Sequence, residues 1–222
     1  MVLFFITNSD AVTKKMVIAG DSRIMDYSRY AAQAAGANCE IGVPGVGKKA
    51  AAVDSICWRS VRLTYVDSIL KDLDNPNSLT LGINPDVFYF SYPINSINEL
   101  QALSLADQQK RWTGWKDSIG LIFDRVRAKK PGCVVIMGNS MPIKNPGIMD
   151  DVGVPCNPSS MNTCWRALSD IQKYNQLTAE ICAAKNVPMV DLYKVCIDSN
   201  LVSCCLKSDG RHWMGKALVV QG

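Results

Sequence analysis

The stretch MVIAGDSRI, residues 16–24, decides the fold of this 222-residue chain. Residues 16–19 form an apolar run with the length and side chains of a buried strand. The run ends at Gly20, and a helical pattern begins just after Ser22. Because open α/β sheets bind their ligands at the carboxyl ends of the strands, Ser22 is placed for function. The same turn also suits a serine that caps the following helix.

Outward from this stretch, strand and helix patterns alternate, which predicts a parallel sheet covered on both faces by helices. Five strands are predicted, at residues 16–19, 38–41, 86–92, 133–137 and 188–192. Helices are predicted at residues 24–35, 48–73, 99–129, 165–185 and 213–220, and a long loop at residues 138–163. Since no repeat, low-complexity tract or linker divides the chain, we expect residues 1–222 to form a single domain.

The far end of the chain carries its only histidine, in Ser208-Asp209-Gly210-Arg211-His212. A serine hydroxyl is a weak nucleophile until a base takes its proton, and that base needs a partner that fixes its tautomer. Any serine-histidine chemistry must therefore use His212, and Asp209 is close enough in sequence to orient its ring. Taken singly, Asp209 also suits a helix cap and His212 a structural role.

The Gly-Asp-Ser near the start and the Asp-x-x-His near the end resemble the SGNH/GDSL hydrolase family of esterases and lipases. The resemblance implies a three-layer α/β/α, flavodoxin-like fold, with five parallel strands in the order 2-1-3-4-5. It also implies a catalytic triad in which Ser22 attacks the substrate, His212 moves the proton and Asp209 orients the ring. Asp21 would hold the turn.

Two further blocks of the family pattern are present in modified form. The loop after the second predicted strand supplies Gly45, with Gly42 as the alternative, for a backbone N–H donor to the oxyanion. The third block supplies Asn95, but here the asparagine stands in Pro93-Ile94-Asn95-Ser96, without the usual flanking glycine and aspartate. The first block departs as well, with Arg23 where leucine is common. The implied oxyanion hole consists of the N–H groups of Ser22 and Gly45 and the side-chain amide of Asn95.

The implied reaction is ester hydrolysis through an acyl-enzyme, with no metal and no organic cofactor. The family includes lipases, thioesterases, arylesterases and carbohydrate acetylesterases, so the fold does not select the substrate. Trp165 and Trp213 would suit stacking on a sugar ring, although both also suit a packed core. We therefore expect an acetylated glycan, or otherwise a small ester, as the substrate. A glycan-binding module with little turnover is the alternative from another class.

Two other enzyme classes fit the sequence less well. Residues 42–48 read Gly-Val-Pro-Gly-Val-Gly-Lys, which matches the G-x-x-x-x-G-K of a phosphate-binding loop. However, Lys49 stands where a Ser or Thr should hold Mg²⁺, and this reading leaves His212 unexplained. An α/β-hydrolase is disfavoured because the chain has no G-x-S-x-G sequence.

Composition is that of an ordinary soluble globular protein, with 48% hydrophobic and 20% charged residues. The net charge of +4 comes from scattered basic residues, so we expect no nucleic-acid partner. No apolar run approaches the ~20 residues of a membrane span. The apolar start of the chain lacks a basic residue before it and a cleavage site, and is a poor signal peptide. Secretion and membership of a larger extracellular assembly both stay open.

The nine cysteines form no C-x-x-C pair, and one histidine cannot complete a Cys/His metal site. Four of them fall in apolar strand or helix patterns, where a free cysteine acts as a small hydrophobe: Cys39, Cys57, Cys133 and Cys182. The other five fall in sequence typical of loops and can pair in an oxidising compartment: Cys156, Cys164, Cys196, Cys204 and Cys205. Pairing and oligomeric state are left open.

Overall fold

The computed structural model of the protein describes residues 14–20, 39–42, 51–53, 56–62, 66–91, 100, 103–142 and 168–199. These residues contain seven strands and four helices. The strands are β1 (Lys14–Gly20), β2 (Cys39–Gly42), β3 (Ala51–Val53), β4 (Ile56–Arg62), β5 (Val87–Ser91), β6 (Val134–Gly138) and β7 (Met189–Val190). The helices are α1 (Val66–Asp74), α2 (Leu105–Lys129), α3 (Leu168–Ala184) and α4 (Leu192–Asp198).

Six strands run parallel in one sheet, in the order β2-β4-β1-β5-β6-β7. The short strand β3 pairs antiparallel with β4 and lies off this path. Parallel neighbours require a crossover connection, and α1, α2 and α3 lie on the connections from β4 to β5, β5 to β6 and β6 to β7. From β4 onwards, each crossover helix therefore moves the chain in the same direction across the sheet.

The predicted α/β class with a parallel sheet is confirmed, and the five predicted strands occur in the predicted order. The number of strands is corrected, because β4 lies between the first two predicted strands and β3 pairs with it. Both fall within residues 48–73, which we predicted to be one helix; the helix α1 begins only at Val66. Residues 56–62 are rich in β-branched and aromatic types, and pairing on both edges satisfies their backbone.

The main core lies between the sheet and the three helices α1 to α3. Alternate residues of the central strands point into it because side chains alternate across a strand. Val17 and Ala19 of β1, and Phe88 and Phe90 of β5, are fully buried there. The helices contribute a larger set, which includes Ile69, Leu73, Trp112, Trp115, Ile119, Ile122, Phe123, Val126, Ile171 and Tyr174.

The second face of the sheet is covered near β6 by α4. Ile18 and Tyr89 point to this face and are nearly inaccessible to solvent. Leu192, at the start of α4, is buried close to Gly138. We had predicted a strand through residue 192, but β7 ends at Val190 because Asp191 caps α4 by accepting a hydrogen bond from the Lys194 N–H. The segment after β7 is thus helical.

The helix α2 is the longest of the described helices, with 25 residues. It begins later than the predicted residue 99, because Ser104 accepts a hydrogen bond from the Asp107 N–H and donates one to the Asp107 carboxylate. Ser104 is therefore the N-cap of α2, and its hydroxyl satisfies one of the unpaired N–H groups of the first turn. None of the described helices is long and apolar enough to cross a membrane.

The turn after α1 is organised by the carboxylate of Asp72. It accepts hydrogen bonds from the Ser78 hydroxyl at 2.8 Å, from the backbone N–H groups of Leu79 and Thr80, and from the Thr80 hydroxyl. Ser78 and Thr80 are both buried, so these bonds satisfy hydroxyls that water cannot reach. Asp72 therefore fixes the connection that leads into β5.

Candidate active site

All seven predicted site residues lie outside the residues that the structure describes: Ser22, Gly45, Asn95, Trp165, Asp209, His212 and Trp213. Their mutual geometry therefore stays a prediction. The structure does describe the strand ends from which three of their segments leave the sheet, and these ends locate the candidate site.

The carboxyl ends of the strands form one row. Gly20 of β1 is level with Arg62 of β4 on one side and with Ser91 of β5 on the other. Ser91 is level with Gly138 of β6, which is level with Val190 of β7. Since these strands are parallel, the chain leaves the sheet along a single edge. Ser22 follows Gly20 by two residues, and Asn95 follows Ser91 by four, so both predicted groups leave from adjacent strands.

The loop that carries Gly45 begins at the same edge of the sheet, but at β2, which is farther from β1. Gly42 of β2 is level with Val61 of β4, and β4 lies between β2 and β1. With strands ~4.8 Å apart, Gly42 is roughly 10 Å to the side of β1. Three residues of extended chain span at most about 10 Å, so Gly45 can reach the end of β1 whereas Gly42 cannot. The strand order therefore favours Gly45 over Gly42 as the oxyanion donor.

Small residues end the central strands at this edge, on the face of the sheet that α4 covers. Because positions alternate between the two faces along a strand, positions 20, 91 and 138 all lie on this face. The Tyr89 side chain leans along β5 and lies over Gly138: a Cβ at position 138 would come within 2.0 Å of the tyrosine Oη and 2.8 Å of its Cζ. Only glycine fits there without displacing the tyrosine, whose ring end lies at the carboxyl end of β6.

Hydrogen-bonded side chains hold the end of β6 to α4. The Asn139 amide donates to Asp191 Oδ1 at 2.7 Å, and the Asn139 Oδ1 accepts from the Tyr193 N–H at 3.0 Å. Asp191 Oδ1 also accepts from the Lys194 N–H at 2.9 Å. Asn139 is nearly inaccessible to solvent, so its amide is fully committed to the first turn of α4.

A second amide holds the next residue to α3. Asn175 Oδ1 accepts from the Ser140 N–H, and Asn175 Nδ2 donates to the Ser140 carbonyl, both at 2.8 Å. Together, Asn139, Ser140, Asn175 and Asp191 form what we call the β6 exit cluster. It holds the chain as it leaves β6, tying Asn139 to α4 and Ser140 to α3.

The sequence reasoning missed this cluster. Its signals are weak in isolation: an Asn-Ser pair directly after a strand, and an asparagine inside a helix, where its propensity is low. Asp191 was assigned to a strand instead of to a cap. Only the packing of α3 and α4 beside β6 brings these residues together.

Two cysteine thiols that the structure describes, those of Cys133 and Cys182, are poor nucleophiles at neutral pH. Burial raises the pKa of the Cys133 and Cys182 thiols to about 11 in each case. Both thiols therefore stay protonated at neutral pH, which agrees with their predicted role as small hydrophobes. Cys196, predicted to lie in a loop, is instead buried in α4. Among the described residues, no group of three or more His, Cys, Asp or Glu side chains could hold a metal ion.

A cavity of about 440 Å³ lies at the opposite edge of the sheet, where α1 and α2 end. Its lining includes Lys129 and Lys130, but Lys129 donates to the Leu73 carbonyl and Lys130 donates to Asn84 Oδ1 at 2.8 Å. Since α2 runs back to the start of β6, this cavity is far from the carboxyl ends of the strands. Lys129 thus joins the ends of α1 and α2, and Lys130 joins the end of α2 to the turn before β5.

Comparison with solved structures identifies the architecture. The chain resembles a lipase/acylhydrolase from Enterococcus faecalis, with a TM-score of 0.59 and 16% identity, covering 94% of each chain. It also resembles an acetylxylan esterase from Geobacillus stearothermophilus, with a TM-score of 0.59 and 13% identity over 96% of this chain and 93% of that one. A protein described as a GDSL-like lipase from Parabacteroides merdae matches with a TM-score of 0.56 and 10% identity, covering 94% of this chain and 93% of that one.

The fold is that of the SGNH/GDSL hydrolases. The resemblance predicted from the Gly-Asp-Ser and Asp-x-x-His motifs is thus confirmed at the level of architecture. No protein family model matches the chain. No curated protein matches it either. At 10–16% identity, this likeness shows the fold alone, and the chemistry has to be argued from the residues themselves.

Proposed function

We propose that this protein is a serine ester hydrolase with Ser22 as the nucleophile, His212 as the base and Asp209 as the residue that orients His212. The observation that carries the proposal is the pairing of β1 with β5, which brings Gly20 level with Ser91. The segments bearing Ser22 and Asn95 therefore start from adjacent strands, about 4.8 Å apart. The nucleophile and an oxyanion donor need this proximity.

The proposed reaction has two steps. Ser22 Oγ attacks the acyl carbonyl while His212 takes the hydroxyl proton, and the resulting oxyanion is held by the N–H groups of Ser22 and Gly45 and the amide of Asn95. The intermediate collapses to an acyl-enzyme as His212 returns the proton to the leaving alcohol. Water then attacks the acyl group with His212 again as base, which releases the acid and restores Ser22.

The proposed substrate is an acetyl ester on a carbohydrate. Trp165 and Trp213 offer aromatic faces for a sugar ring, and Trp213 directly follows His212. One of the similar structures is an acetylxylan esterase, which adds support for acetyl removal. The alternative within the fold is a lipase, thioesterase or arylesterase, since lipase/acylhydrolases are equally similar. Because the residues around Asn95 depart from the family pattern, a weakly active glycan-binding module is the second alternative.

The activity is tested with p-nitrophenyl acetate. We expect Ser22→Ala and His212→Ala each to lower kcat by at least ~10³-fold, and Asp209→Asn to cause a smaller loss. Ser118→Ala, at a partly exposed position of α2, is the matched control and should keep wild-type kcat. A folded Ser22→Ala protein that keeps more than a few per cent of the activity contradicts the proposal. kcat/KM should rise with pH as His212 loses its proton, in the ordinary range of a histidine, and EDTA should have no effect.

The substrate is tested by product release. We expect acetate release from an acetylated xylo-oligosaccharide to exceed octanoate release from a matched octanoyl ester. Trp213→Leu should raise KM for the oligosaccharide but not for p-nitrophenyl acetate, because only the sugar would use the aromatic face. A preference for octanoate removes the carbohydrate proposal and leaves the serine esterase intact. Tight glycan binding without turnover would instead support the binding module.

A further inference from the structure

We propose that the amino edge of the sheet, where the strands begin, is a docking surface for an acidic polysaccharide. Carboxylate groups of the polymer would bind four lysines that we call the basic edge: Lys14, Lys15, Lys71 and Lys130. This edge is opposite the one that carries the candidate active site. The charge argument is independent of the proposed function, whereas the choice of a polysaccharide rests on the glycan substrate proposed above.

Folding gathers at this edge basic residues that look scattered in the sequence. β1 begins here, and α1, α2 and α3 end here because each of them connects two parallel strands. The charged residues brought together are eight cations (Lys14, Lys15, Lys71, Arg125, Arg127, Lys129, Lys130 and Lys185) and four carboxylates (Asp72, Asp74, Asp86 and Asp124). Elsewhere, the described residues carry seven cations and eight carboxylates. The positive charge of the described residues is therefore concentrated at the amino edge.

Four of the eight cations have a structural role. The carboxyl ends of three helices meet here and carry partial negative charge, which cations offset. Arg125 and Lys129 donate to carbonyls of the last turn of α1, and Arg127 donates to two carbonyls that follow α3. Lys185 forms an ion pair with Asp124 at 2.6 Å. These four side chains are accounted for by the fold.

The four lysines of the basic edge have no such role. Within the described part of the chain, none of them forms an ion pair with a carboxylate. Lys14 and Lys71 are exposed, and Lys15 and Lys130 are partly exposed. The one side-chain hydrogen bond printed for the four runs from Lys130 Nζ to the neutral Asn84 Oδ1, at 2.8 Å. Their positive charges are therefore available to an anionic partner.

The carboxylates of this edge cannot neutralise these lysines, because other groups already occupy them. Asp72 accepts four hydrogen bonds from the turn that follows α1. Asp74 is shared by two cations of α2. Asp86 accepts from the backbone N–H of Lys15 at 2.8 Å, which holds it at the start of β1. The charge left over at this edge is thus positive.

The cavity of about 440 Å³ gives the basic edge a concave part. Lys130 is in its lining, together with the apolar side chains of Leu73, Pro76 and Leu81. A volume of this size is within the range of ~300–1,000 Å³ found for small-ligand sites. A sugar ring carrying a carboxylate matches this lining, since its C–H groups can contact the apolar side chains while the carboxylate meets the ammonium group.

The kind of cation favours a polymer of carboxylates over one of phosphates. An arginine fork binds phosphate through two parallel hydrogen bonds, but both arginines of this edge are committed to partners within the fold. The available cations are lysines, which act as point charges and can each bind one carboxylate. They come from one strand and from two helices, so a chain with repeated carboxylates can bind several of them at once.

The test measures binding of the full chain to a short polygalacturonate oligomer by isothermal titration calorimetry. The methyl ester of the same oligomer is the matched ligand, because it has the same sugar rings and no carboxylate charge. We expect the ester to bind at least ~10-fold more weakly than the acid. Raising NaCl from about 0.01 M to about 0.15 M shortens the Debye length from about 30 Å to about 8 Å and should weaken binding of the acid.

Two double variants separate the basic edge from the overall charge of the protein. Lys14→Gln with Lys71→Gln removes two exposed, unpaired charges, so Tm should not change, and Kd for the acid oligomer should rise roughly 3–10-fold. Lys110→Gln with Arg111→Gln is the control, since it removes the same charge about 30 Å away along α2. At about 0.1 M salt, where the Debye length is about 10 Å, the control should change Kd by less than about twofold.

The inference is overturned if the acid oligomer does not bind, if its methyl ester binds equally well, or if the control variant weakens binding as much as the basic-edge variant. Equal affinity for a short DNA duplex, or for vesicles containing phosphatidylserine, overturns the assignment to a polysaccharide. Because binding is measured without turnover, failure of the proposed function is distinguishable: a protein that binds the acid oligomer but hydrolyses no ester supports this inference and contradicts the esterase.

Discussion

Replacing Gly138 with alanine should destabilise the protein through one defined collision. The new Cβ would lie 2.0 Å from Tyr89 Oη and 3.2 Å from Leu192 Cδ1, where ordinary contacts begin at 3.4 Å. The hydroxyl must therefore withdraw by more than 1 Å, in a side chain that is only 8% exposed. Overpacking of this kind costs typically 1–3 kcal/mol. For a chain of this size, each kcal/mol lowers Tm by about 2–4 °C, so we expect a fall of roughly 2–12 °C.

Thermal and urea unfolding of three variants measure this effect. Gly114→Ala is the matched control: position 114 is on the exposed side of α2, its Cβ would meet nothing within 4 Å, and alanine should stabilise the helix by up to about 1 kcal/mol. Adding Tyr89→Phe to Gly138→Ala removes the atom at 2.0 Å and leaves Cζ at 2.8 Å. The double variant should then be more stable than the sum of the single effects predicts. Strict additivity, or a Gly138→Ala protein as stable as Gly114→Ala, would refute the collision.

Two further predictions concern other described residues. Asp72→Ala should lower the free energy of unfolding by about 2–4 kcal/mol, because the buried Ser78 and Thr80 hydroxyls lose the carboxylate that accepts their hydrogen bonds. Asp72→Asn should lower the free energy of unfolding by less, and urea unfolding that shows the same loss for both variants would contradict this explanation. Cys133 and Cys182, with pKa values of about 11, should react with iodoacetamide at pH 8 roughly 100-fold more slowly than a thiol of pKa 9.0. Peptide mass spectrometry follows the labelling, and rapid labelling of either thiol in the folded protein would contradict the raised pKa.

Three of the five predicted strands have continuous apolar runs. β1, β5 and β6 are central, are flanked by strands on both sides and begin within two residues of their predicted starts. A strand buried on both faces needs apolar side chains at every position, so its signal is strong in the sequence alone. The order of the strands, by contrast, was predicted from the resemblance to the SGNH/GDSL hydrolases, because apolar runs alone do not say which strands are neighbours.

β4 was missed because residues 56–62 mix apolar and basic side chains, a pattern that also fits the period of an amphipathic helix. Only pairing with β1 and β2 selects the extended form. The β6 exit cluster was missed for a related reason: Asn139, Asn175 and Asp191 are far apart in sequence and acquire a role only when α3 and α4 pack beside β6. The triad was predicted from the Gly-Asp-Ser and Asp-x-x-His motifs and stays a prediction, because Ser22, Asp209 and His212 lie outside the described residues.

The nucleophile is tested most directly by reaction with a fluorophosphonate probe, followed by intact mass and peptide mapping. A serine activated by a histidine reacts with such a probe, whereas an ordinary surface serine does not. We expect one equivalent of label on the wild-type protein, located on Ser22, and none on His212→Ala. Labelling at another residue, or a protein that hydrolyses p-nitrophenyl acetate while Ser22 stays unlabelled, would contradict the assignment of Ser22 as the nucleophile.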